Sequence, residues 1–299
     1  MAANRSSVPP LADVRGLLLD LDGVLVLRNR LILGAREAID RLDEAAFPYV
    51  VATNMSLVSR ETLSAELIRG GLQIPPGRLL TAASAAAAHA ARTFPGQPLY
   101  VLAAPDALRE FQDQRLITYE EAADPSVTAA AVIVGDAGEQ FSAANMQSAF
   151  RMLREGAAFI AMHKNRWWLT PQGVLLDSGA YVTALEFGVE RKALVTGKPS
   201  RAFFREGIRR LGELAGERLS AHEVAMVGDD LWNDIRGAQR AGVRGVFVRS
   251  GKHGDAELGR LAAEGGAADR VPDGIAADLA DVVDACLAVD RAQPSRARP

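Results

Sequence analysis

Two carboxylates at the end of one apolar run could do chemistry: Asp20 and Asp22 stand one residue apart, directly before Gly23. The run before them, Leu17 to Leu19, predicts a strand that is buried on both faces. Side chains two positions apart on a strand point to the same side, so both carboxylates can converge on one small volume if the strand runs straight, whereas a loop after Asp20 would re-aim Asp22. Two like charges that close need a cation or a shared proton. The plainer interpretation is an ordinary Asp-Gly turn after a strand.

Three more polar signals lie further along the chain, each at the end of an apolar run or the start of a helical pattern: Thr53 with Asn54, Lys198, and Asp229 with Asp234. Carboxylates, a hydroxyl and one lysine suit a phosphoryl group and Mg2+, which prefers oxygen ligands. On these residues alone we expect Asp20 and Asp229 to bind Mg2+, with the backbone carbonyl of Asp22 as a third ligand. Taken singly, Thr53 could begin a turn and Lys198 could be a solvated surface charge.

Two dipeptides resemble these signals and need separate interpretations. Gly197-Lys198 suggests a phosphate loop, which we reject because Pro199 stands where Ser or Thr should hold the metal and no glycine stands five residues earlier. Gly135-Asp136 follows an apolar run much as Gly228-Asp229 does, but only the later copy is followed by a second acid one helical turn on. Asp136 is therefore predicted to be a turn residue.

The apolar runs that carry the polar residues alternate with amphipathic helical patterns. We predict strands over residues 17–19, 49–52, 99–102, 131–134, 159–162, 224–227 and 243–248. We predict helices over residues 35–45, 58–68, 82–91, 143–153, 203–211 and 275–288. Strands that alternate with helices indicate an α/β fold with a parallel sheet, in which ligands collect beyond the carboxyl ends of the strands.

The pattern changes after Leu79, where the alanine-rich residues 82–91 begin a further series of short strands and helices. We interpret residues 82–189 as a second α/β unit inserted into the first, so that residues 1–81 and 190–299 form one domain. Within the insertion, His163 to Trp168 mixes basic and aromatic side chains, a pattern that could grip an anionic substrate. A strand and turn whose tryptophans pack locally is the favoured interpretation, because nothing nearby extends the patch.

Composition narrows the classes of function. The 299 residues include 34 basic and 37 acidic side chains, and the formal charge of -3 gives no general electrostatic reason to bind nucleic acid or an anionic membrane. Cys286 is the only cysteine, which excludes an intramolecular disulfide and fits a reducing compartment. We expect it to be a small core residue. We also expect no signal peptide and no membrane-spanning segment, and hence a cytoplasmic protein.

Four ordered motifs resemble those of the haloacid dehalogenase (HAD) superfamily: Asp20-Leu21-Asp22-Gly23-Val24, Thr53-Asn54, Gly197-Lys198-Pro199, and Gly228-Asp229 through Asp234. The resemblance spans nearly the whole chain and implies the HAD fold, a Rossmann-like parallel-sheet core with an inserted α/β cap domain. The interval from Gly23 to Thr53 is too short for a cap, whereas that from Asn54 to Lys198 holds one, as in the NagD-like subgroup. Residues 134–136 and 163–166 look most like one phosphatase branch of that subgroup.

The resemblance also implies a reaction, the magnesium-dependent hydrolysis of a small phosphate ester, phosphoramidate or pyrophosphate through an aspartyl phosphate. In this scheme Asp20 is the nucleophile and Asp22 is the general acid and base. The residues that would bind the phosphate are Thr53, Asn54 and Lys198. The implied ligands of Mg2+ are Asp20, Asp22 and Asp229, with Gly23 and Asp234 in supporting roles. Caps of this kind often pair, which leaves a homodimer open.

Two other classes of function stay open on the sequence alone. A phosphorylation-switched receiver also places an acidic cluster, a threonine and a lysine on a parallel sheet, although the chain length and the insertion argue against it. A non-catalytic relative that only binds anions would not need every catalytic residue. A dehalogenase is disfavoured because it would not need Asp22. Repeated release of inorganic phosphate distinguishes an enzyme from the first two.

Overall fold

The computed structural model describes residues 11–28, 30–170, 173–254, 256–259 and 271–288. The strands are β1 (Gly16–Leu19), β2 (Val26–Leu27), β3 (Arg30–Leu31), β4 (Tyr49–Thr53), β5 (Leu79–Thr81), β6 (Leu99–Leu102), β7 (Leu116–Ile117), β8 (Ala131–Val134), β9 (Ala158–Ala161), β10 (Trp167–Thr170), β11 (Gly173–Leu176), β12 (Leu194–Val195), β13 (Val224–Gly228), β14 (Arg244–Val248) and β15 (Gly274–Ala276).

The α-helices are α1 (Ala35–Glu44), α2 (Arg60–Arg69), α3 (Ala82–Thr93), α4 (Ala143–Arg154), α5 (Ser178–Val189), α6 (Arg201–Ala215), α7 (Gly237–Arg240) and α8 (Leu279–Leu287). A π-helix, Leu231–Arg236, runs directly into α7. Short 3-10 helices cover Pro76–Arg78, Ala107–Phe111, Glu121–Ala123, Gly138–Gln140 and Ala221–Glu223. Among the described residues, no helix is both long and apolar enough to cross a membrane.

The chain divides into two compact units. The first comprises the described residues of Met1–Thr53, Glu66–Leu79 and Phe204–Pro299, and the second comprises Asn54–Ala65 and Leu80–Phe203. The predicted insertion, residues 82–189, lies wholly within the second unit. Its exact boundaries stay a prediction.

A six-stranded sheet in the order β15-β14-β13-β1-β4-β5 forms the core of the first unit. The strand β1 lies in the middle and pairs in parallel with β13 on one side and β4 on the other. Every residue of these three strands is buried, because helices cover both faces of a parallel sheet. The register aligns Leu19 with both Val51 and Val227. The carboxyl ends of all three strands therefore meet at one edge, as the sequence predicts.

A five-stranded sheet in the order β12-β9-β8-β6-β7 forms the core of the second unit. The alanine-rich segment is the helix α3, whose first turn carries a reciprocal cap. The Ser84 N–H donates to the Thr81 hydroxyl oxygen, and the Thr81 N–H donates to the Ser84 hydroxyl oxygen. The small side chains of α3 let it pack closely on the sheet, where Ala86 and Ala90 are fully buried beside Phe111. The predicted α/β character of this segment is confirmed.

The structure corrects the predicted closing helix. Residues 274–276 are the strand β15, paired with Val246–Val248 of β14, and the helix begins only after Asp278. The carboxylate of Asp278 accepts the N–H groups of Ala280 and Asp281, so it caps a helix that cannot extend back to Ile275. A strand of three residues is too short to show an alternating pattern. The predicted frayed tail, residues 291–299, lies outside the described residues.

Candidate active site and metal centre

Three buried carboxylates converge at the carboxyl edge of the first unit's sheet. Asp20 follows β1, while Asp229 and Asp234 follow β13. One oxygen from each carboxylate lies within 4.8 Å of the others. The register explains this convergence, since β1 and β13 are neighbours and the Asp20 N–H continues their ladder by donating to the carbonyl of Val227 (2.9 Å). Thr53, at the end of the neighbouring strand β4, is also buried.

The loop after β1 separates Asp20 from Asp22. The Leu21 N–H donates to Oδ1 of Asp20 (2.8 Å) and fixes one oxygen of that buried carboxylate. Gly23 then takes a φ of 84°, a left-handed conformation that glycine adopts without strain. The turn leaves Asp22 exposed, and its carboxylate is not part of the three-carboxylate group. Asp20 and Asp22 thus lie in different environments, as separate roles require.

Asp230 organises the start of the π-helix and was not singled out in the sequence. Its Oδ1 accepts the N–H groups of Trp232 and Asn233 (2.9 Å each), and its Oδ2 receives the Lys252 ammonium at 2.8 Å. Burial raises the pKa of this carboxyl, but Lys252 and the N–H donors outweigh burial and bring the pKa down to about 2. The Asp230 N–H in turn donates to Oδ2 of Asp234 (3.1 Å). The carboxylates of Asp230 and Asp234 therefore have fixed places.

Asp229 lies in the opposite electrostatic situation. Burial is the largest influence on its carboxyl and raises its pKa, and the negative charges of Asp234 and Asp230 add to this. The N–H and ammonium of Lys252 work against the rise without cancelling it, so the pKa reaches about 6. Lys252 therefore does not fully offset the burial of Asp229 and the negative charges beside it.

A hard divalent cation fits this cluster. Its three converging donors are all carboxylate oxygens, and Mg2+ and Ca2+ take oxygen ligands. The raised pKa of Asp229 shows that a positive charge at this place would be stabilising. Sequence reasoning placed Asp234 in a supporting role, whereas the structure puts its carboxylate in the cluster itself. Within the described part of the chain, no other group of three or more His, Cys, Asp or Glu side chains meets this arrangement.

The second unit brings Asn54 and Lys198 together. The Asn54 side chain accepts the Lys198 N–H at Oδ1 (2.8 Å) and donates from Nδ2 to the Lys198 carbonyl (3.1 Å). This bidentate contact between an amide and a backbone fixes the position of Lys198, which is 4% exposed. Sequence reasoning assigned Asn54 to phosphate binding and did not anticipate this contact.

His163 is buried at the centre of a polar cluster in the second unit. Its Nε2 lies 2.9 Å from the Ser56 hydroxyl oxygen, which also accepts the N–H of Asp136 (3.1 Å). Burial lowers the pKa of the imidazole, although Asp177 and Asp136 oppose that effect. Oδ1 of Asp177 lies 3.9 Å from the same Nε2, whereas a catalytic triad would place the acid on the other ring nitrogen. The cluster is therefore not a serine-hydrolase triad.

Three further predictions concern single residues. Asp136 is a turn residue, because its Oδ1 accepts the N–H of Gly138 (3.2 Å). Cys286 is buried, which raises the pKa of its thiol to about 12, and the prediction of a small core residue is confirmed. Trp167 is 60% exposed, and the local packing of the two tryptophans stays a prediction.

Comparison with known proteins identifies two family models in the chain. The haloacid dehalogenase-like hydrolase model matches residues 17–116, and the HAD-hydrolase-like model matches residues 195–282. Haloacid dehalogenase-like hydrolase domain-containing protein 2 from Bos taurus is 33% identical and covers 83% of this chain and 89% of its own. Human phospholysine phosphohistidine inorganic pyrophosphate phosphatase is 36% identical over 81% of this chain and 85% of its own.

A solved structure shows the same architecture. Glycerol phosphate phosphatase from Mycobacterium tuberculosis, determined in complex with magnesium, superposes with a TM-score of 0.75 and 25% sequence identity. The match covers 91% of this chain and 77% of the mycobacterial one. The sequence resemblance and the fold that it implied are both confirmed.

Proposed function

The chain belongs to the haloacid dehalogenase-like hydrolases and is a phosphatase of that family, and on this premise we propose that it hydrolyses a small phosphorylated substrate with Mg2+ through an aspartyl phosphate on Asp20. The observation that carries the proposal is the group of three buried carboxylates from Asp20, Asp229 and Asp234, whose oxygens lie within 4.8 Å of one another. A buried cluster with that much negative charge is costly unless a cation completes it. Proteins keep such a costly cluster where their chemistry needs the cation.

Asp20 is the nucleophile in this proposal. An oxygen of its carboxylate attacks phosphorus, the bond from phosphorus to the leaving oxygen breaks, and an aspartyl phosphate forms. The Leu21 N–H holds Oδ1 of Asp20 and orients the carboxylate. A second attack at phosphorus, by water, then releases inorganic phosphate and restores Asp20.

Asp22 is the general acid and base. It gives its proton to the leaving oxygen in the first step and takes a proton from the attacking water in the second. Its exposed position supports this role, because the group must exchange protons with solvent between the two steps. Gly23 supports it by taking the left-handed conformation in the turn directly after Asp22.

The proposed Mg2+ ligands are the carboxylates of Asp20 and Asp229 and the backbone carbonyl of Asp22, with Asp234 beside them. Bound Mg2+ would supply positive charge that offsets the repulsion between an anionic nucleophile and a phosphate. For the phosphate itself we propose the Thr53 hydroxyl and the Lys198 ammonium as donors. Asn54 acts through Lys198, whose backbone it holds at both N–H and carbonyl.

The substrate class that we propose is a small phosphate monoester, with phosphoramidates and pyrophosphate as the nearest alternatives. This choice follows the activities for which the similar proteins are named, those of a glycerol phosphate phosphatase and of a phospholysine, phosphohistidine and inorganic pyrophosphate phosphatase. Cytoplasmic location and a homodimer stay predictions from the sequence.

The proposal is tested by measuring inorganic phosphate released from an aryl phosphate, glycerol phosphate, phospholysine and pyrophosphate, with Mg2+ or with EDTA. We expect many turnovers on at least one substrate with Mg2+ and none with EDTA. Release that stops after one equivalent would favour a phosphorylation-switched protein. Binding of phosphate esters without any release would favour an anion-binding protein.

A further inference from the structure

The segment Ser250–Lys252, which follows β14 in the first unit, touches the carboxylate of Asp229 through its backbone. The Lys252 N–H donates to Oδ2 of Asp229 at 2.5 Å. A Cβ on Gly251 would lie 2.0 Å from that same oxygen and 2.3 Å from the Asp229 Cγ. No side chain fits at position 251, so glycine is required there by close approach rather than by an unusual backbone angle.

A second loop meets this segment on the same carboxylate. Ser250 donates its hydroxyl to the carbonyl of Gly23 at 2.6 Å, which ties the segment to the loop that carries Asp22. A Cβ on Gly23 would lie 2.3 Å from Oδ2 of Asp229 and 2.9 Å from the Gly251 Cα. Two glycines from distant parts of the chain therefore enclose one carboxylate.

The segment is also held from its other end. The ammonium of Lys252 pairs with Oδ2 of Asp230 at 2.8 Å. The next residue, His253, accepts the Leu231 N–H at Nδ1 (3.3 Å). The segment thus has attachments to both loops that supply the carboxylate cluster, and its backbone donates a hydrogen bond to Asp229.

We propose that Ser250, Gly251 and Lys252 are positioning residues for the metal ion, because they fix one oxygen of Asp229 and leave the carboxylate in the orientation that the cation needs. The inference rests on the proposed magnesium-dependent function. It adds a part of the chain that none of the four motifs includes. Outer partners that orient a ligand change metal affinity by about 10- to 100-fold when they are lost.

The test compares Gly251→Ala with Gly254→Ala by titrating Mg2+ against each purified chain and the wild type, with calorimetry and the metal-induced rise in Tm as readouts. Gly254 is a matched control in the same loop, since a Cβ there meets no heavy atom within 4 Å. We expect Gly251→Ala to weaken Mg2+ binding by about 10- to 100-fold. We expect Gly254→Ala to bind like the wild type.

Activity gives an independent readout of the same variants. A positioning role predicts that raised Mg2+ restores the turnover of Gly251→Ala, whereas damage to the fold would not respond to the metal. If Gly251→Ala fails to fold by circular dichroism, Ser250→Ala carries the test, since it removes only the hydrogen bond to Gly23. For that variant we expect a loss of about fivefold in Mg2+ affinity.

Three outcomes would overturn the inference. The first is that Gly251→Ala binds Mg2+ as tightly as the wild type, which would contradict the inference and leave the proposed function intact. If Gly251→Ala does not fold, the same result for Ser250→Ala would contradict it. An equal loss in Gly251→Ala and Gly254→Ala would show a general effect of the loop. A wild type that binds no Mg2+ would overturn both the inference and the proposed function.

Discussion

Two buried carboxylates, one in each unit, respond in opposite ways to their surroundings. Glu186 of the second unit is 4% exposed and accepts hydrogen bonds from the ammonium groups of Lys164 (2.8 Å) and Lys192 (3.0 Å) and from the Ala193 N–H (3.0 Å). Burial raises the pKa of Glu186, but these partners outweigh it, and the pKa lies below the ordinary 4.5. The charge of Glu186 is therefore satisfied within the protein.

Asp229 of the first unit is buried to the same extent, with 3% exposure, yet its pKa rises to about 6. Its neighbours include two further carboxylates, Asp234 and Asp230, and one cation, Lys252, that is already paired with Asp230. Burial of a charge is thus common to both places, and the supply of positive charge is what differs. A buried carboxylate with complete partners is structural, while one that lacks them points to an external cation.

The largest expected effect is on kcat, and it distinguishes the acidic cluster from the surroundings of Glu186. Asp20→Asn removes the nucleophile of the acidic cluster, so we expect kcat to fall by at least about a thousandfold. Glu186→Gln is the matched control, a carboxylate-to-amide change in the satisfied cluster, and should keep kcat within about threefold if its ion pairs are structural. Release of phosphate from an aryl phosphate measures both. Undiminished turnover by Asp20→Asn would remove Asp20 as the nucleophile.

A smaller effect is expected for Asp22→Asn, because Asp22 contributes proton transfer rather than the covalent bond. General acid-base catalysis is worth about 10²–10⁴ in rate, so kcat should fall by that factor. The loss should be greatest for substrates with poor leaving groups, and stability should not change, since Asp22 is exposed. Comparing kcat for aryl and alkyl phosphates, with Tm measured alongside, tests this. An equal loss on both substrates would contradict a role in protonating the leaving group.

The sequence predicts the acidic cluster of the first unit but not the ion pairs of Glu186 in the second. Asp20, Asp229 and Asp234 could be found because each follows a buried strand, and parallel strands end at one edge of a sheet. The same reasoning placed β4 and β13 within one residue of their observed bounds. The partners of Glu186 could not be found, because ion pairs depend on side-chain geometry that no residue spacing encodes.

The loops of the first unit show the same limit. Gly251 and Lys252 carry no motif, and their contact with Asp229 depends on how the loop after β14 folds back. The short strands were not predicted, for a different reason. The strands β5 and β15 have three residues each, too few for any hydrophobic period, and β15 was merged with the helix that follows it. Long buried strands are predictable, whereas loop contacts and edge strands are not.

Stability of the metal-free chain should move in opposite directions when each carboxylate becomes an amide. Asp229→Asn removes a repelled charge and should raise the free energy of unfolding at pH 7 by up to about 3 kcal/mol. Glu186→Gln leaves Lys164 and Lys192 without their partner and should lower it by about 1–2 kcal/mol. Urea unfolding with EDTA present measures both. Saturating Mg2+ should stabilise the wild type but not Asp229→Asn. If both substitutions lower the free energy of unfolding without metal, the two carboxylates do not differ as proposed.

The smallest expected effect is the pH dependence of the free energy of unfolding, which changes by at most about 1.4 kcal/mol per pH unit for each group. The pKa of Asp229 is about 6 when folded against 3.8 unfolded, so its stabilising effect is present below pH 3.8 and is lost as the pH rises through 6. The pKa of Glu186 is lowered, so its contribution is present above pH 4.5 and is lost as the pH falls. In metal-free samples, the advantage of Asp229→Asn over the wild type should therefore grow from pH 4 to pH 7. The penalty of Glu186→Gln should stay level from pH 5 to pH 7, and an Asp229→Asn difference that is equally level would mean that Asp229 already has its counter-charge within the protein.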